Sequence, residues 1–173
     1  MSGKSGKNFQ NMDVKKEQIP VTAQTGTVSV PERLKVFDRE EFFAVLATDD
    51  KGKPYTSLVT YALTADLKKV IFATPKDTSK YRNILNSSHV ALLIDNRTQS
   101  QQNLLETEVI TVIGTAKPVR RGKAWNEFTK VFLRKHPEFE SFLVSSTTAL
   151  IVIEVIRCIH VGRFQTISIW ECE

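Results

Sequence analysis

Much of what would quickly assign this chain to a class is missing from it. Among 173 residues there are two cysteines, Cys158 and Cys172, in no metal-binding or redox spacing. That excludes a disulfide framework and a thiolate zinc site, and a reduced, cytoplasmic setting is expected. The three histidines, His89, His136 and His160, stand far apart and match no zinc-ligand pattern. No run of about 18 apolar residues occurs, so no helical membrane span is expected. The opening MSGKSGKNFQNMDVKKEQ lacks the apolar segment of a secretory signal. A dense basic stripe with interleaved aromatics is also missing. The net charge is only +5, and the first 30 residues supply +2 of it, so nucleic acid is not an expected partner.

What is present is an ordinary globular composition, 41% hydrophobic and 25% charged, in a chain long enough for one sizeable core. Residues 1–30 are polar and read as a flexible N-terminal segment, with 31–173 as a single domain. PERLKVFDREEFF opens that domain as a helix with Pro31 in its first turn, placing Leu34, Phe37 and Phe42 on one face. Strand-like runs follow: FFAVLAT, YTSLVTYAL, VIFAT, HVALLID, EVITVIGTAKPV, TALIVIEVIRCIHV and RFQTISIW. DDKGKP and TADLKK supply turns. Gly114, in the middle of its strand, marks a bulge or a close approach. TALIVIEVIRCIHV is apolar on both faces and therefore central. Two further helices are expected, TSKYRNILNS and RRGKAWNEFTKVFLRKHPEFESFLV, the second ended or kinked by Pro137. Hairpin-length connections argue for antiparallel pairing, and closure would remove sheet edges. The expected fold is mainly β with peripheral helices, an antiparallel barrel.

One stretch carries a chemical question. In FATPKDTSKYRNIL a strand turns through Pro75 into a helix beginning near Thr78. Lys76, Lys80 and Arg82 crowd the helix start, where the macrodipole disfavours cations. A bound phosphate would make Lys80 and Arg82 its partners, with hydroxyls from Thr78 and Ser79 alongside. In the competing reading Asp77 or Thr78 caps the helix and the basic side chains point into water. The local sequence alone leaves both open.

In order, Gly52 and Pro54, the strand over 57–62, Thr74, Ser79-Lys80, the helix YRNIL, HVALLID and VIGTAKPV resemble the flavin-binding core of the pyridoxamine 5′-phosphate oxidase-like FMN-binding split barrels. The resemblance runs from about residue 43 to 119. It implies a split β-barrel homodimer with FMN in a cleft at the subunit interface, exchanging hydride or electrons with a small-molecule donor or acceptor. Ser79 and Lys80 match its phosphate-binding pair, and Thr74 matches the end of the preceding strand. Ser57, Leu58, Val59 and Thr60 match the strand whose backbone runs beside the flavin ring. Arg82 joins the candidates from local charge alone.

Departures from the family pattern concern the substrate side. Ser57 stands where the oxidases proper carry Arg, Val109 stands where they carry Gln, and only Arg163 and Trp170 loosely match the C-terminal Arg and Trp. The flavin site therefore transfers better than a vitamin B6 substrate site. A related barrel binding flavin, deazaflavin or haem without turnover is the alternative, with His160 as the test case for a haem ligand. Asp95, Asn96 and Arg97 read as an Asx-type turn. Cys158 and His160 read as a buried thiol and a satisfied histidine, and Glu154 as one half of an ion pair. Trp125, Phe128, Phe132, Phe139 and Phe142 read as helix packing.

Overall fold

A computed structural model describes residues 22–97, 104–162 and 165–172. Most of the N-terminal segment, residues 98–103 of the polar loop and the candidate Arg163 lie outside the described residues.

The chain order is β1 (Gln24–Thr25), α1 (Val30–Glu40), β2 (Phe43–Asp50), β3 (Lys53–Thr60), β4 (Ala62–Leu63), β5 (Lys69–Pro75), α2 (Ser79–Asn86) and β6 (His89–Asp95), then β7 (Glu108–Pro118), α3 (Lys123–Lys135), α4 (Glu140–Val144), β8 (Thr148–Gly162) and β9 (Thr166–Glu171). The strands form one sheet ordered β1-β9-β8-β7-β6-β2-β3, with β5 pairing both β4 and β8. Every pairing is antiparallel except β1 with β9. The mainly β fold with peripheral helices is as expected, and the sheet is mixed and not closed. The cause is a fork at β8. One edge of this strand carries β7 along most of its length. The other carries β5 against Thr148–Glu154 and β9 against Arg157–Gly162.

The fork explains the composition of β8. From Thr148 to Ile153 every residue is buried, and beyond Glu154 alternation returns. Ala149, Ile151 and Ile153 point into the main core. Leu150 points the other way into a second core with Trp125 and Phe132 of α3, Leu143 of α4 and Ile71 of β5. Where helices cover the second face the strand must be apolar on both sides; where they do not, period 2 is enough. Gly114 sits at a register shift against β8. A Cβ there would meet the Glu154 carbonyl oxygen at 2.3 Å and Ile153 Cγ2 at 2.7 Å. Both readings of this glycine therefore apply, bulge and close approach.

The helices depart from expectation in detail. Val30, Leu34 and Phe37 of α1 enter the main core at helical spacing, but Phe42 lies beyond the helix and is half exposed. The long C-terminal helix breaks at His136-Pro137, as the ring of Pro137 requires. A 3-10 turn, Pro137–Phe139, then leads into α4. The strand read over 55–63 breaks at Tyr61, whose buried hydroxyl donates to the Phe37 carbonyl at 3.0 Å. The first described residues are ordered against the sheet, since β1 pairs with β9 and the Val28 N–H donates to Ser168 Oγ at 3.2 Å.

Candidate functional site

A cleft of about 330 Å³ opens where β3, the end of β5, the start of α2 and the α3–α4 connection meet. Leu58, Val59 and Thr60 form one wall. Thr74, Pro75 and Lys80 form its polar end, and Phe139 and Phe142 face them. Among the described residues β3 pairs only with β2 along its length, which leaves the N–H and C=O groups of its outer edge without strand partners there. α2 is fixed from below. Asn83 is buried and donates through Nδ2 to Thr48 Oγ1 at 3.1 Å, while Ile84 enters the main core.

Five of the nine sequence-predicted residues line this cleft: Leu58, Val59, Thr60, Thr74 and Lys80. Ser57 does not. It pairs with Leu46, a core residue, and its Oγ is buried with no hydrogen-bond partner among the described residues. Thr78, Ser79 and Arg82 flank the polar end without lining it. Thr78 Oγ1 donates to the Pro75 carbonyl at 2.9 Å and lies 3.1 Å from Thr74 Oγ1, which ties the turn together. Neither Phe139 nor Phe142 was legible as a site residue. They continue the apolar pattern of α3 in sequence, and only the break at Pro137 turns them onto the cleft.

The geometry separates the two readings of the helix start. Thr78 occupies the N-cap position, yet no side chain caps the helix and its first turn has no acid. The three cations divide. Lys76 Nζ donates to the Ser146 carbonyl at 2.7 Å, away from the helix. Arg82 folds back, donating to the Asp77 carbonyl at 2.8 Å and to Ser79 Oγ at 3.1 Å. Lys80 alone has no ion pair or hydrogen bond among the described residues and points into the cleft. Burial without a compensating anion holds its ammonium below the ordinary lysine pKa. An uncapped helix start and an unpaired, half-buried ammonium thus meet at one end of the cleft.

The cleft opens beside an apolar sheet face. Leu58, Val45, Leu93, Thr111, Ile159 and Ile169 stand in register across six strands. Leu58 and Ile169, at its two ends, are 63% and 57% exposed. Phe43, 58% exposed, borders both this face and the cleft.

Other candidates lie elsewhere. Asp95 Oδ1 accepts from the Arg97 N–H at 3.1 Å, the expected Asx-type turn, and its carboxylate also holds the Arg97 guanidinium. Glu154 is exposed and pairs with Lys117 at 2.6 Å. Cys158 is buried, and burial, followed by the nearby Cys172, pushes its thiol up to about 12, which disfavours the thiolate. His160 is buried against Glu108, Nε2 to Oε2 2.9 Å, and that same oxygen accepts from Arg33 Nε at 2.8 Å. It is not part of the cleft lining, in which no His, Cys, Met or Tyr occurs among the described residues.

The family model for pyridoxamine 5′-phosphate oxidase matches residues 30–161. No curated protein matches the chain significantly. Among solved structures, a heme binding protein from Mycobacterium smegmatis is 19% identical with a TM-score of 0.67, over 75% of this chain and 52% of that one, so this chain spans about half its length. General Stress Protein 26 from Bacillus anthracis is 16% identical, with a TM-score of 0.60 over 84% of this chain and 100% of that one. A FAD-binding protein from Mesorhizobium loti is 12% identical, with a TM-score of 0.62 over 77% of this chain and 94% of that one. At these identities the likeness is one of fold, the split barrel.

Proposed function

The chain belongs to the pyridoxamine 5′-phosphate oxidase family, and from that membership and the cleft we propose that it is a flavoprotein that binds FMN and acts as an oxidoreductase on a small molecule. The observation that carries the reading is Lys80, an unpaired ammonium at an uncapped helix start, placed at the polar end of an otherwise apolar cleft. The uncapped N–H groups of α2 and Lys80 would hold the phosphate. The outer edge of β3 at Leu58 to Thr60 would address the polar rim of the ring, and Phe139 and Phe142 would pack on it and exclude water. When bound, a flavin supplies hydride or electron transfer. The free cysteines accord with a cytoplasmic setting.

A homodimer is part of the proposal. A second copy against the apolar row from Leu58 to Ile169 would bury it and close the cleft that it borders. Wild-type protein is expected to sediment as a dimer. Ile169→Asp, at a position exposed in the single chain, is expected to give a folded monomer with weakened FMN binding. A monomeric wild type would remove the interface from the account.

The related reading, a haem or flavin carrier without turnover, is favoured by one observation: among the described residues, Lys80 is the only titratable side chain in the cleft lining. Haem there would lack an axial ligand from the described residues, because His160 is buried and engaged with Glu108.

The pH dependence of FMN affinity tests the phosphate assignment. Burial lowers the pKa of Lys80 in the free protein, and a docked phosphate would raise it again. Binding should then be tightest while Lys80 is protonated in the free protein and weaken as pH rises through its depressed pKa. FMN titrations by fluorescence quenching between about pH 7 and 10 are expected to show that decline. Lys80→Arg should flatten it, since a guanidinium stays charged. Parallel profiles for the two proteins would place the phosphate elsewhere. Arg82→Ala should change affinity by less than about 1 kcal/mol, because its guanidinium is occupied with the Asp77 carbonyl and Ser79.

A further inference from the structure

We infer a second binding site, for a small amphipathic organic anion, in the groove between α1, α3 and the segment from β4 to β5. The groove has a volume of about 730 Å³, more than twice that of the cleft, and shares no lining residue with it. It lies within the size range of small-molecule sites.

Its floor is apolar, made by Phe42, Leu63, Leu67 and Val131. Leu67 is held at a φ of 60°, in the left-handed region that a leucine rarely occupies, while its side chain is 6% exposed in the floor. The turn is fixed in that form by the Leu67 N–H donating to the Thr64 carbonyl at 2.8 Å and the Lys69 N–H donating to Thr64 Oγ1 at 3.1 Å.

The rim is cationic from two sides. Lys35 and Arg39, four apart on α1, share a face, and Arg134 and Lys135 come from the last turn of α3. Among the described residues one carboxylate borders the groove, Asp38, and it is already engaged by Lys135 Nζ and the Leu63 N–H, each at 3.0 Å. Lys135 also donates to the Glu41 carbonyl and lies 3.8 Å over the Tyr61 ring, so that pair is part of the packing. Three cations remain for a ligand. Lys35 and Arg39 pair with Glu32 and Glu40 only on the exposed surface, where such pairs are weak. Arg134 is exposed and has no ion pair among the described residues.

An apolar floor under a cationic rim selects a molecule with both parts. A bare inorganic anion would leave the floor wet, and a neutral hydrocarbon would leave the rim unused. The class that satisfies both is a carboxylate or similar monoanionic head on a short aliphatic or aromatic body.

Calorimetric titration with octanoate, and with octanol as the uncharged control, tests this. Wild-type protein should bind octanoate saturably at one site, octanol at least about 10-fold more weakly, and the octanoate affinity should fall with added salt. Arg39→Glu with Arg134→Glu should lower octanoate affinity about 10-fold or more while FMN affinity and melting temperature hold. Should the double variant not fold, Arg134→Glu alone, at an exposed position, is expected to show a smaller loss in the same direction. Absence of octanoate binding to the wild type, equal binding of octanol, or unchanged octanoate binding in the folded variants would overturn the site. FMN binding is a separate readout, so its failure would count against the cleft and not against the groove.

Discussion

Lys80→Ala is expected to weaken FMN binding by about 1–3 kcal/mol, roughly 5- to 150-fold in Kd, without lowering the stability of the free protein. The two halves of that result have the same cause. In the free protein the ammonium makes no ion pair or hydrogen bond with the described residues, and its partial burial disfavours the charge. Removing it therefore breaks no ion pair or hydrogen bond with the described residues, and thermal unfolding of the apo variant should match or slightly exceed that of the wild type. In the complex the same ammonium becomes a charge-assisted donor to phosphate, beside N–H groups that no side chain caps. Fluorescence titration with FMN measures the first half and melting of the apo protein the second. Unchanged affinity would mean that the ammonium only faces solvent. A large loss of apo stability would mean that it has a structural partner instead.

Gly114→Ala should cost about 3 kcal/mol of stability, or roughly 6–12 °C in Tm for a chain of this size. The new methyl group would lie 2.3 Å from the Glu154 carbonyl oxygen, a distance that no rotamer change relieves because the obstacle is backbone. Either β7 or β8 must move at the register shift, in the middle of the sheet. Gly52→Ala is the contrast. Gly52 has a φ of 84° and nothing within 4 Å of an added Cβ, so the cost there is conformational only, about 1 kcal/mol. Denaturant midpoints of the two variants distinguish close approach from backbone freedom. Equal, small losses would mean that β7 and β8 are less tightly apposed than the structure has them.

The readings that succeeded from sequence rest on local physics. Seven strand-like runs found their places because alternation, or its absence in TALIVI, reports how many faces are covered. The turn at Thr74 to Lys80 was legible because strand end, turn and helix start are contiguous. So was the break at Pro137, which follows from one residue. What escaped depends on contacts between distant segments. That β8 forks between β5 and β9 is written nowhere in its own residues, so the antiparallel pattern was legible while the order of strands and the parallel β1 were not. Tyr61 divides the run 55–63 because its hydroxyl reaches Phe37 on α1, and an alternating pattern carries no sign of that. Phe139 and Phe142 scan as helix packing, and partly they are, since Phe139 packs against the second core. Only the tertiary fold turns them toward Leu58 and Thr60. Charge counting placed three cations at the start of α2, while the structure leaves one of them unpaired. Lys76 and Arg82 are drawn off by the carbonyls of Ser146 and Asp77, and acceptors of that kind have no sequence signature.

The most direct measurement is the visible absorbance spectrum of the freshly purified protein, followed by release and mass determination of any chromophore and by titration of the stripped protein with FMN. Flavin bands, a released mass equal to FMN, and saturable uptake by the stripped protein at one FMN per chain are expected. A Soret band would transfer the cleft to haem. A colourless protein that takes up no added FMN would contradict the account and leave the unpaired Lys80 ammonium without a ligand.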